Sequence, residues 1–133
     1  MGQSTPVTRT GSELLAGRSI LIVEDEYFLA DDLAGEFKRR GAEVIGPVSE
    51  VIDAQNILRS GQPIDAALLD INLRSEMIFP LARALRERDI RFVFTTGYDK
   101  SSIRREFADV PLWEKPLDVP AVADGVAELL KGR

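Results

Sequence analysis

The sequence predicts an α/β fold in which a five-stranded parallel sheet carries helices on both faces. Three observations predict it. Short apolar runs rich in β-branched residues alternate with longer amphipathic stretches from residue 18 onwards, the order that builds strand-helix-strand units with right-handed crossovers. Those apolar runs are continuous, as strands buried on both faces are. The 133 residues make one domain, long enough to bury roughly two thirds of the unfolded surface around a single core.

Taken in order, residues 1–17 are rich in Ser, Thr, Gly and Pro and read as a mobile leader, with residues 12–15 as a short docking turn. The domain proper is residues 18–133. Residues 19–23 (SILIV) form the first strand and end in Glu24-Asp25-Glu26. Leu29, Leu33 and Phe37 recur at i+4 with Ala30 and Ala34 beside them, a helix that Gly41 terminates. Residues 42–46 are a short strand. Ser49 is the expected N-cap of a helix carrying Val51, Ala54 and Leu58, which stops at Gly61. Residues 64–70 are a buried strand ending on Asp70. Ile78, Leu81, Ala82 and Leu85 mark the next helix, with Pro80 in its first turn. Residues 90–95 form a strand that leads into Thr96-Gly97. Residues 98–107 read as a helix with a thin apolar face. Residues 112–114 are the last strand, and Asp118 caps a final helix carrying Val119, Val122, Val126, Leu129 and Leu130.

Composition removes several kinds of chemistry. Histidine and cysteine are absent, so imidazole bases, thiolate nucleophiles, disulfides and the usual zinc sites are excluded. Seventeen basic against 22 acidic side chains leave a net charge of -5, which makes a poor non-specific ligand for nucleic acid or an anionic membrane. No apolar run approaches the roughly 18 residues of a membrane span. The first ten residues lack the apolar segment of a secretory signal. The expectation is a cytoplasmic protein.

Open parallel sheets bind ligands beyond the carboxyl ends of their strands. Glu24, Asp25 and Glu26 stand there after the first strand, Asp70 after the third, Thr96 after the fourth and Lys115 after the fifth. Several carboxylates facing one crevice repel each other, and a bound cation relieves them. An all-oxygen donor set favours Mg²⁺. A lysine and a hydroxyl at the same rim suit a phosphoryl group, whose transfer needs positioning and charge neutralisation above all. Without His or Cys, a carboxylate is the leading nucleophile. Asp70, following Ala66-Ala67-Leu68-Leu69, is the best placed.

From residue 18 to residue 130 the chain resembles the receiver domain of two-component response regulators. The resemblance rests on Ile22-Val23-Glu24-Asp25, Leu68-Leu69-Asp70-Ile71-Asn72-Leu73, Thr96-Gly97 and Lys115-Pro116, each at the end of its own strand. It implies a flavodoxin-like (βα)5 fold with strand order 2-1-3-4-5. It implies that Asp70 accepts a phosphoryl group from a sensor histidine kinase or a histidine phosphotransfer protein. Asp25 would bind Mg²⁺ directly, Glu24 through water, and Asn72 through its backbone carbonyl, with Asp70 completing the set. Thr96 and Lys115 would bind phosphoryl oxygens, and Lys115-Pro116 would be a cis peptide. Movement of Thr96 and its loop would then repack the signalling surface.

The sequence departs from the family pattern in places. Arg74 stands where many receivers have proline, and Leu112 stands where the aromatic switch residue is usual. Trp113 follows it and faces the other way by strand alternation, as a packing residue. The run Phe94-Thr95-Thr96-Gly97-Tyr98 is similar to the F-A-T-G-aromatic signature of a mostly stand-alone subgroup paired with HWE and related histidine kinases, with Thr95 in place of alanine. In this reading Tyr98 takes over as the switch. The expected function is a single phosphoryl-accepting module that acts through contacts with a downstream protein or as a phosphate sink, and does not turn over a substrate. A homodimer is compatible with the sequence, and no nucleic-acid or membrane partner is expected. Two alternatives stand beside this: a receiver cut from a hybrid histidine kinase, and a Mg²⁺-dependent aspartyl phosphatase. Phosphatases of that kind carry a second acid two residues after the nucleophile, where this chain has Asn72.

Overall fold

A computed structural model describes residues 14–73, 78–97, 103 and 105–133. The elements are β1 (Ser19–Val23), α1 (Tyr27–Arg39), β2 (Glu43–Val48), α2 (Val51–Arg59), β3 (Ala66–Asp70), α3 (Ile78–Glu87), β4 (Arg91–Thr96), a 3-10 turn (Arg105–Phe107), β5 (Leu112–Glu114) and α4 (Val119–Leu129). The five strands are parallel in the order β2-β1-β3-β4-β5, a flavodoxin-like arrangement and the order expected.

Strand alternation sorts the core into two halves. Leu21, Val23, Ala67, Leu69, Phe92 and Phe94 pack beneath α2 and α3. Ile20, Ile22, Ala66, Leu68 and Val93 face α1 and α4, where Leu33, Phe37, Val122 and Val126 meet them. Leu15 is fully buried in this second half. All five residues of β3 are buried, Asp70 included. The central strand therefore delivers its terminal acid to the sheet rim while the rim is still shielded from water.

Several boundaries differ from expectation. β2 runs on to Val48 because Gly46 takes φ +92°, where an added Cβ would lie 2.7 Å from the Val48 nitrogen. The amide of Glu24 then donates to the Val48 carbonyl at 2.9 Å, closing the end of β1. Ser49 does not cap α2. Glu50 holds the N-cap position in extended conformation, without a side-chain cap bond. β3 begins at Ala66 rather than residue 64, because Asp65 turns back and accepts a hydrogen bond from the Ser19 amide at 2.7 Å. β4 spans Arg91–Thr96, one residue later than the sequence reading. Of the helix expected over 98–107, residues 98–102 and 104 lie outside the described residues. The remainder is a bend at Ile103 and the 3-10 turn, anchored by buried Phe107. Asp118 caps α4 as expected, accepting from the Ala121 amide at 3.1 Å.

Candidate functional site

The carboxyl ends of β1, β3, β4 and β5 open into one crevice, with Asp25, Asp70, Asn72, Gly97 and Lys115 on its wall. Oxygens of Glu24, Asp25 and Asp70 lie within 4.8 Å of one another. Asp70 is 1% exposed and Glu24 3%. Each is tied locally: Asp70 Oδ1 accepts from the Asn72 amide at 2.8 Å, and Glu24 Oε2 accepts from the Glu26 amide at 3.0 Å. Oε1 of Glu24 is buried without a hydrogen-bond partner.

Lys115 reaches into this cluster from the end of β5, beside a cis Lys115–Pro116 bond. Its Nζ stands 3.1 Å from Asp70 Oδ2 and 3.2 Å from Glu24 Oε2, and it also grips Glu26 Oε2. Burial alone would lower the Lys115 pKa. The Glu26 hydrogen bond and the charges of Asp70 and Glu24 outweigh it, and the net shift is upward. Burial pushes Glu24 up to about 7. The Asp70 charge adds to this, while the Glu26 amide and Lys115 oppose it.

The loops after β3 and β4 are joined by Asn72. Its Oδ1 accepts from the Thr96 hydroxyl at 2.8 Å and from the Gly97 amide at 2.6 Å. Thr96 is fully buried and meets the crevice through Asn72, which lines it. Leu112 packs against the α2/α3 half of the core and Trp113 against the other, as alternation requires. Glu24, Asp25, Asp70, Asn72, Thr96 and Lys115 therefore converge. Tyr98 lies outside the described residues. Two contacts were not foreseen from sequence, the bridge made by the Asn72 side chain and the hold of Glu26 on Lys115. The run of three acids was the one local signal for the latter.

No protein-family model matches the chain, and no curated protein does. Solved structures do. The solution structure of SdrG from Sphingomonas melonis Fr1 is 41% identical, with a TM-score of 0.74, covering 85% of this chain and 96% of SdrG. A response regulator receiver protein from Sinorhizobium medicae WSM419 is 26% identical, with a TM-score of 0.76, covering 90% of this chain and 98% of that one. This chain is a response regulator receiver domain. The receiver also shares its fold with the receiver domain of the hybrid histidine kinase CckA, at 24% identity and a TM-score of 0.70, covering 85% of this chain and 99% of that one. As a receiver it belongs to two-component signal transduction, and the acids at its strand ends form the kind of pocket in which receivers generally bind Mg²⁺. Among the described residues no helix is long and apolar enough to cross a membrane.

Proposed function

We propose that Asp70 is the phosphoryl acceptor of this receiver. One observation carries the reading: a nearly buried carboxylate ends the central strand, with an ammonium at 3.1 Å and two further acids converging on it. In the transfer, an Asp70 oxygen forms a bond to phosphorus as the P–N bond to the donor's imidazole breaks, and the imidazole takes a proton from solvent on leaving. Lys115 and Thr96 then donate to the phosphoryl oxygens, and Lys115 neutralises the charge that Asp70 gains.

The donor set fits Mg²⁺. It is all oxygen, and the orphaned Glu24 Oε1 is a buried acceptor that a cation or its water shell satisfies. Glu24, Asp25, Asp70 and the Asn72 carbonyl would hold the ion, which supplies charge neutralisation to the phosphoryl oxygens. The beryllofluoride-activated conformation of SdrG, 40% identical over 98% of that chain, supports a phosphoryl-responsive reading of this one.

The phosphodonor in this reading is a sensor histidine kinase or a histidine phosphotransfer protein. The output is contact with a downstream protein or competition for phosphate, in the cytoplasm and without turnover of a substrate. Phe94-Thr95-Thr96-Gly97-Tyr98 supports membership of the subgroup paired with HWE kinases, with Tyr98 as its switch. Residues 1–17 are read as a leader and 18–133 as the receiver proper.

Intact mass after incubation with a small phosphodonor and Mg²⁺ tests the acceptor. One added phosphoryl group is expected, dependent on Mg²⁺ and lost in Asp70→Asn. An adduct that persists in Asp70→Asn would refute the assignment.

A further inference from the structure

We propose that Glu26 is a positioning residue that holds Lys115 as a stand-in for the phosphoryl group and gives it up when that group arrives. The inference rests on the acceptor reading of Asp70 and adds a control on it.

Glu26 occupies the N-cap position of α1, in extended conformation at φ -82° and ψ 111°. A short acid there, aspartate, ordinarily accepts a hydrogen bond from an amide in the first turn, and the longer glutamate is free to reach further. Glu26 makes no such bond. Its carboxylate crosses 89 positions of sequence to Lys115 instead. The ammonium has three protons, and Glu24, Asp70 and Glu26 account for three acceptors.

These acceptors are not equally free to move. Glu24 and Asp70 have side chains 2% and 1% exposed, and each is tied to a backbone amide two residues on. The Glu26 side chain is 58% exposed and turns into water at little cost. An arriving phosphoryl oxygen therefore gains its lysine proton at the expense of Glu26. Until then Glu26 competes with every anion for Lys115, so a weakly charged anion is poorly held. Among the described residues Glu26 stands outside the three acids whose oxygens converge for a cation, so its influence runs through the lysine.

The experiment compares wild type, Glu26→Gln and Asp31→Asn by calorimetric titration, first with Mg²⁺ alone and then with beryllofluoride, the phosphoryl mimic, at saturating Mg²⁺. Asp31 is exposed on the same helix, so its variant removes the same charge without touching Lys115. Glu26→Gln is expected to bind beryllofluoride about fivefold more tightly than wild type, the upper end for an exposed ion pair. It should bind Mg²⁺ alone no more tightly than wild type, and Asp31→Asn should match wild type in both titrations. A Glu26→Gln variant that binds beryllofluoride no more tightly overturns the inference. So does an equal gain in Asp31→Asn, which would make the effect one of general charge. A wild type that binds no beryllofluoride with Mg²⁺ overturns the acceptor reading, and the inference with it.

Discussion

Lys115 is a cation enclosed by acids, and removing one side of such an arrangement costs more than making it yields. Glu24 and Asp70 are nearly buried, and the ammonium set between them offsets part of the cost of placing two acids side by side away from water. Lys115→Met should therefore lower metal-free stability by about 3 kcal/mol in urea denaturation, and Mg²⁺ should restore much of the loss. An unchanged midpoint would contradict this. Glu24 carries a second expectation. Its pKa is raised by burial from 4.5 to about 7. Between those values the folded chain keeps a proton that the unfolded chain has released, so stability falls as pH rises through the window. In EDTA the melting temperature should drop from pH 5 to pH 7.5 by more in wild type than in Glu24→Gln. Equal slopes would refute it. The set of acids was legible in the sequence because strand ends are legible. The contact from Glu26 to Lys115 was not, since an exposed glutamate at the start of a helix is ordinarily solvated and nothing nearby in sequence shows that its side chain takes a partner 89 positions away.

At the scale of elements, β5 and α4 meet through one close approach. A Cβ at Gly125 would lie 2.7 Å from Trp113 Cζ2, so the indole is seated against bare helix backbone. Gly125→Ala gains about 1 kcal/mol of helix propensity but overpacks the seat at a cost of about 1–3 kcal/mol. It should destabilise wild type yet stabilise a Trp113→Leu background, as read by denaturant midpoints. The same sign in both backgrounds would remove the explanation. Helices with strong apolar periodicity, such as α1 and α3, were readable from sequence to within a few residues. The stretch 98–107 was weaker because its few apolar residues, Ile103 and Phe107 among them, do not make a continuous face. The cap of α2 is not legible in sequence because Ser49 and Glu50 are both polar residues preceding the helix, and only the backbone decides which one starts it.

Across the whole molecule, the sheet order follows from which apolar runs are buried on both faces. β3 has neighbours on each side and no exposed residue, whereas β2 is an edge strand with exposed Glu43, Gly46 and Pro47. Native-state hydrogen exchange should find the slowest amides in β3 and β1 and faster ones in β2 and β5. Slowest exchange in an edge strand would contradict the burial pattern. Sequence periodicity foresaw this layering because central strands read as unbroken apolar runs. It said less about the rim, where the geometry depends on loops meeting across the sheet, as Asn72 meets Thr96. Trp113 belongs to this scale as well. It is the only tryptophan, its indole nitrogen is buried without a hydrogen-bond partner, and it lies on β5 two residues before Lys115, which follows the end of that strand. The chain thus carries its own optical probe. Intrinsic fluorescence excited at the indole band comes from one site, with no second emitter to subtract, and that site is joined by backbone to the lysine that an anion in the crevice would draw upon.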